Sequence, residues 1–303
     1  MSGAARRRLA ALGPPASTAP VALAVLALAL AALLPRVGTE RPVPRYQVTF
    51  DVSQSMDVAD VALDGAPVTR LELARGAARA LLAELPCGAA LGWSAFVGGR
   101  TTVLVAPLEV CAHYEALLSS LDAVDGRLRW ANASSVGKGL HQSLRAAAEL
   151  GGATRAVMFT DGHEAPPLGQ NQSGLPKGLP EGIGGALVGV GGEVPVPVPR
   201  SDEEGRAVGW WTAEDVVQRP GPAGRPSREE LSALDAEHLG ALAALAGLDY
   251  LRLRRPEDVA RALAGARGLE RREVPTDLSW IPALVALAGL AWRFAPRAAR
   301  PPR

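Results

Sequence analysis

The chain has 303 residues, 48% of them hydrophobic and 21% charged, with a formal net charge of +1. That is enough apolar material for one large domain or two small ones, and it excludes a chain disordered throughout. Aromatics are only 4%, so the core must rest on Ala, Leu and Val, and a count of two cysteines excludes a disulfide-rich scaffold. All 31 acids lie between Glu40 and Asp277, where 24 basic residues leave a formal charge of −7, while the two ends carry arginine and no acid. A nucleic-acid-binding footprint, which needs a basic face, is excluded by that distribution, so no nucleic-acid partner is expected.

Residues 9–35 contain no charge, and 19–34 (APVALAVLALALAALL) are continuously apolar behind Arg6, Arg7 and Arg8. This reads as a membrane anchor or a signal peptide. The run closes on Leu-Leu-Pro-Arg instead of the small residues a cleavage site needs, which favours an uncleaved anchor over 16–35. A second uncharged stretch, 278–292 (LSWIPALVALAGLAW), has 15 residues where a bilayer-crossing helix needs roughly 20. Trp280 and Trp292 sit at its edges, and Arg293 is placed to snorkel, so we read a second span over 278–295; the alternative is a buried C-terminal helix. The positive-inside bias then places the basic ends, 1–15 and 296–303, in the cytoplasm. The acidic middle faces the periplasm of a bacterial inner membrane, with the lipid bilayer as a partner.

The middle, 44–275, alternates strand and helix signals. Residues 46–52 (YQVTFDV) form a β-rich run, and 71–85 carry Leu and Ala at helical spacing up to Pro86. Residues 90–97 and 101–105 read as strands around the turn Gly98-Gly99, 136–150 as a helix, and 153–160 and 185–190 as strands. Residues 230–246 read as a helix, 249–253 as a strand and 256–264 as a helix. The pattern predicts an α/β, Rossmann-like domain: a mostly parallel central sheet with helices on both faces. Two Pro/Gly-rich inserts, 165–184 and 191–227, follow strand ends and so fall on the rim of the ligand face.

The strand 46–52 ends in Asp51-Val-Ser53-Gln-Ser55. Alternate residues of an extended chain share a side, so one carboxylate and two hydroxyls converge there, hard oxygen donors suited to Mg²⁺ or a similar ion. The strand 153–160 ends in Thr160-Asp161-Gly162, a second carboxylate at a strand end. Between them Asn132-Ala-Ser134-Ser135-Val-Gly137 sets hydroxyls just before a helix, where simple capping is the plainer role.

In this order the three segments resemble the von Willebrand factor type A (VWA) domain and its metal-ion-dependent adhesion site (MIDAS), over about 230 residues. The resemblance implies one divalent cation, Mg²⁺ with Ca²⁺ or Mn²⁺ as alternatives, held by Asp51, Ser53, Ser55, Ser134 and Asp161, and a position left for a partner's Asp or Glu. The family's usual loop Thr is Ser here; Ser134 fits its spacing to Gly137 and Ser135 is the alternative. The runs PLEVCAHY (107–114), RLRWANASSVGKGL (127–140) and FTDGHEAPP (159–167) further resemble the membrane-anchored type A proteins of bacterial methanol oxidation, the L-type accessory (MxaL-like) family. That likeness implies maturation of a quinoprotein methanol dehydrogenase, including insertion of its Ca²⁺. A Bat-type aerotolerance protein, acting with a MoxR-class AAA ATPase, is the nearest alternative.

An enzyme is not expected. Ser53, Asp161 and His163 have triad chemistry, but His163 follows the Asp by two positions and no Gly-x-Ser-x-Gly elbow is present. A metal-dependent hydrolase would need a water-activating base that the sequence does not offer. His163 and Glu164 read as rim residues. Cys87 and Cys111 are a disulfide in an oxidising compartment or two buried thiols. Trp210-Trp211 either anchor a partner or plug their own loop. Asn132 and Asn171 begin N-x-S patterns that carry no weight in a bacterial chain.

Overall fold

Apolar runs of strand length separated by helical-period segments dictate a layered α/β arrangement, and the computed structural model has one. It describes residues 19–33, 37–169, 174–202, 204–218, 228–263 and 270–294. The described chain divides into two units, one holding 41–272 and the other the two ends.

In the larger unit the central strands are β2 (Arg45–Asp51), β5 (Ala90–Val97), β6 (Arg100–Glu109), β7 (Arg155–Thr160), β8 (Gly185–Gly189) and β13 (Asp249–Arg252). They form one sheet in the order β13-β8-β7-β2-β5-β6. All neighbours are parallel except the edge pair β5 and β6. That pair is joined by Gly98 and Gly99, both at positive φ (72° and 133°), the backbone a two-residue hairpin demands.

The pleat sorts side chains to two cores. Tyr46, Val48 and Phe50 of β2 and Val157 and Phe159 of β7 pack with α2 (Arg70–Glu84), α3 (Tyr114–Asp122) and α6 (Glu257–Leu263). Ala156 and Met158 of β7 and Leu187 of β8 face the other way, onto α4 (Val136–Leu150) and α5 (Ala236–Ala246). Thr69 and Glu72 form a reciprocal capping box that starts α2. Cys87 and Cys111 are joined in a disulfide, Cα–Cα 5.2 Å, that ties the chain just before β5 to the chain just after β6.

Several expectations are corrected. The segment 230–246 is not one helix: β12 (Leu231–Ser232) comes first, and Asp235 caps a helix that begins at Ala236. Within the second insert, for which no elements were expected, β9 (Val196–Pro197) pairs with β12, and β10 (Pro199–Ser201) pairs with β11 (Ala207–Trp210). Periodicity missed these strands because they are two to four residues long. It also missed α3 and the hairpin of β3 (Val61–Leu63) and β4 (Ala66–Val68).

The smaller unit contains α1 (Ala19–Leu33) and α7 (Trp280–Phe294), 15 residues each. They meet along small side chains, Ala24, Ala27 and Ala286, with Leu290 beside them. At 1.5 Å per residue the described part of each is about 22 Å long, against a hydrocarbon layer of roughly 30 Å. No helix among the described residues is long and apolar enough to cross a membrane, so the transmembrane helices expected over 16–35 and 278–295 are not found there. β1 (Val37–Val43) pairs with β14 (Glu270–Thr276). The readings placed on the basic ends and on Asn171, and on the side chain of Trp292, lie outside the described residues.

Candidate metal centre

Connections leave β2 toward β5 on one side and arrive at β7 from the other, so the crevice between the carboxyl ends of β2 and β7 is a topological switch point. Asp51 ends β2 and Asp161 follows β7, which brings both carboxylates to that crevice, and both are fully buried.

Asp51 is held by neutral donors: the Ser53 main-chain N–H donates to Oδ1 at 2.9 Å, and the Thr160 hydroxyl donates to Oδ2 at 2.7 Å. Burial, and after it the Asp161 charge, pushes its pKa up to about 7. Ser53 and Ser55, at the start and within the 3₁₀ turn Gln54–Asp57, hold their hydroxyl oxygens 3.1 Å apart. Ser134 is fixed by a two-way main-chain bridge to Ala165, 2.7 and 2.8 Å, which ties the hydroxyl loop to the segment after Asp161. Its Oγ is buried and has no hydrogen-bond partner. Ser135 is the N-cap residue of α4 but makes no capping bond with its side chain. Of the two serines only Ser134 lines, with Ser53 and Ser55, a pocket of about 310 Å³ at the crevice.

Asp161 is differently placed. Its Oδ2 accepts from Arg70 Nη1 at 2.6 Å and from the Ser232 hydroxyl at 2.8 Å, and its Oδ1 accepts from the His163 main-chain N–H at 3.0 Å. Burial raises its pKa, but the Arg70 guanidinium, with help from His163 and Ser232, more than offsets that and holds it below the usual carboxylate range. Arg70 is itself fully buried, and its other edge makes two bonds to Asp60, 2.9 and 2.6 Å. Gly191, at φ +136°, lets the chain pass this guanidinium; a Cβ there would sit 2.8 Å from Nε.

Sequence reading missed Arg70, Asp60, Ser232 and the ligand-orienting Thr160. One signal was available: Arg70 occupies the first turn of a helix, where the macrodipole disfavours a cation, so a buried anion had to answer it. His163 does not complete a triad. Asp161 meets its main chain, while the ring Nε2 is buried without a partner.

The donor set fits a divalent cation. Asp51, Asp60 and Asp161 against Arg70 leave a cluster of formal charge −2, buried except at Asp60, with one carboxylate facing neutral donors only and one orphaned hydroxyl. Asp161 engages Arg70 and Ser232 through Oδ2, while its Oδ1 accepts from the His163 main-chain N–H.

The second insert closes one side of the pocket. Trp211 Nε1 donates to Gln54 Oε1 at 2.5 Å, its ring lies 4.9 Å from the Arg200 guanidinium, and its main-chain N–H donates to Val198. Gln54 Nε2 donates in turn to Asn132 Oδ1 at 3.2 Å. The tryptophan pair thus divides: Trp211 plugs its own loop, while Trp210 is 61% exposed.

No protein-family model matches the chain, and no curated protein matches it. Solved structures do. An aerotolerance-related membrane protein from Bacteroides fragilis is similar at 18% identity and TM-score 0.52, over 73% of this chain and 96% of that one. BatB from Bacteroides thetaiotaomicron is similar at 17% identity and TM-score 0.49, over 73% and 95%. A von Willebrand factor type A protein from Catenulispora acidiphila is similar at 13% identity and TM-score 0.45, over 84% of this chain and 46% of that one. At these identities the likeness concerns the fold alone, and the Bacteroides fragilis structure agrees with the sheet order in one conclusion: this chain has an α/β fold with a mixed, mostly parallel central sheet, similar to that of the aerotolerance-related membrane protein.

Proposed function

We propose that the chain is a non-enzymatic, membrane-associated type A protein that binds a protein partner through a divalent cation, Mg²⁺ in the first instance. Asp51, Ser53, Ser55 and Ser134 would hold the ion, and Asp161 would act beside them through its charge. The single observation that carries this reading is the −2 cluster in which Asp51 has no cationic partner and Ser134 Oγ has no partner at all. When bound, the ion supplies a Lewis-acid position for a carboxylate from the partner. The residues of the chain do the rest: Thr160 and the Ser53 main chain orient Asp51, the Ala165 bridge positions Ser134, and Arg70 fixes Asp161.

Two features support association with a membrane; the placement of the acidic middle in the periplasm of a bacterial inner membrane is proposed from the charge bias alone. The α1 and α7 pair meets along small residues, as helices in lipid do, and leaves Leu23, Leu26, Leu284 and Leu287 exposed. Retention in the membrane fraction after an alkaline wash tests this directly.

Two partner assignments belong to the reading. The likeness to an aerotolerance-related membrane protein favours a Bat-type role alongside a MoxR-class ATPase. The sequence runs at 107–114, 127–140 and 159–167 favour maturation of a quinoprotein methanol dehydrogenase. Pull-down from native membranes and periplasm with the full chain in detergent, wild type against Asp51→Ala, with Mg²⁺ or EDTA, decides between them by the partner captured. A partner retained only by wild type with metal is the expected result; identical partners in all four samples would exclude a functional ion.

A further inference from the structure

We propose that the pocket beside the candidate centre reads an acidic residue together with an apolar neighbour, so that the partner docks through a short acidic-apolar segment. The inference rests on the ion-dependent reading above and names the chemistry of what that ion receives.

The pocket lining holds two unlike sets of residues: the hydroxyl set Ser53, Ser55 and Ser134, and the apolar set Val198, Trp211 and Val217 of the second insert. At about 310 Å³ the pocket reaches the lower bound of small-ligand pockets, so a lone carboxylate on the ion would leave the apolar set bare. That set is built, not incidental. Trp211 is pinned at its indole N–H by Gln54, along its main chain by Val198 and over its ring by Arg200. Gln54 is the residue between the two serines of the motif, so the apolar wall and the hydroxyls are held in one register. Val217, in the same lining, is 67% exposed.

The charges in the lining set the order of events. Glu164, Asp215 and Glu229 line the same pocket, with Asp51 and Asp161 behind it. Without the ion this surface rejects an anion; with the ion it accepts one at a single place. The carboxylate therefore supplies the metal dependence, and the apolar neighbour supplies discrimination between acidic partners.

The test uses the full chain in detergent and blocked tripeptides as probes: Ala-Asp-Ala, Ala-Asp-Leu, Leu-Asp-Ala and Ala-Asn-Leu, with affinities from ligand-observed NMR. With Mg²⁺, one of the two Asp/Leu peptides should bind roughly tenfold more tightly than Ala-Asp-Ala, the gain expected for burying one leucine. EDTA, or Asn in place of Asp, should remove binding. Trp211→Ala should erase the leucine advantage, and Val217→Ser, at an exposed position that leaves folding intact, should reduce it severalfold without changing Ala-Asp-Ala. Equal binding of Ala-Asp-Ala and both leucine peptides, or no peptide binding to a chain that calorimetry shows to hold Mg²⁺, overturns this inference and leaves the ion-dependent reading standing. Absence of Mg²⁺ binding by calorimetry, metal-independent binding of all four, or capture of a Lys-containing control peptide without metal overturns both.

Discussion

Asp51 and Asp161 end neighbouring parallel strands, are equally buried and face the same crevice, yet the chain treats them in opposite ways. At the β7 end a guanidinium comes with the fold: Arg70 meets Asp161 at 2.6 Å and shares itself with Asp60. At the β2 end only a main-chain N–H and a hydroxyl meet the carboxylate. The contrast teaches where an external cation is wanted, because a buried anion without a counter-charge is costly and one already paired is not. It also explains why the two carboxyls shift in opposite directions, Asp51 up to about 7 and Asp161 down.

The largest effect should come from breaking the paired end. Arg70→Met leaves Asp60 and Asp161 without their cation, and thermal unfolding of the full chain should show a loss of about 3–5 kcal/mol. Asp51→Asn should behave in the reverse way at the unpaired end. Without metal it should be neutral or stabilising, because it removes a charge that nothing balances, while the stabilisation by Mg²⁺, about 2.7 kcal/mol at a hundred times Kd, should vanish.

The two ends also differ in pH response. With Asp51 at about 7 against the ordinary 3.8 of an unfolded chain, the folded chain binds more protons than the unfolded one between those values. Its contribution to stability in EDTA is therefore full below about pH 4 and declines as pH rises to about 7. Denaturant unfolding across this window should show a slope that Asp51→Asn flattens. Asp161, with its lowered pKa, contributes the opposite slope at the acid end. The smallest effect is expected at the latch: Gln54→Ala removes the acceptor of the Trp211 indole and should cost about 1 kcal/mol globally. Hydrogen exchange should speed up in the 196–211 strands while β2 and β7 stay protected.

The sequence carried the centre of the fold well. Long apolar runs at 46–52, 90–97 and 153–160 became β2, β5 and β7 because burial on both faces of a sheet leaves no other reading of such a run. The motif residues were legible for the same reason, since a strand end followed by alternating polar residues sets their side by geometry alone. Ser134 against Ser135 was not legible: adjacent serines are chemically alike, and only the main-chain bridge to Ala165 brings Ser134 to the pocket. The segments 16–35 and 278–295 show the converse: their apolar composition promised two spans, and among the described residues no helix is long and apolar enough to be one.

Composition, alternation and the order of three short motifs therefore determined the α/β class, the crevice between β2 and β7 and the oxygen-rich donor set, because each is a local property of strands and their ends. The tertiary structure alone decided which carboxylate has a counter-charge, which serine faces the pocket and what forms its other wall. Arg70, Ser232 and Trp211 lie 91, 71 and 157 residues from Asp161, Asp161 and Gln54 respectively. Contacts at such separations exist only once the sheet and its insert have packed, so no local pattern encodes them.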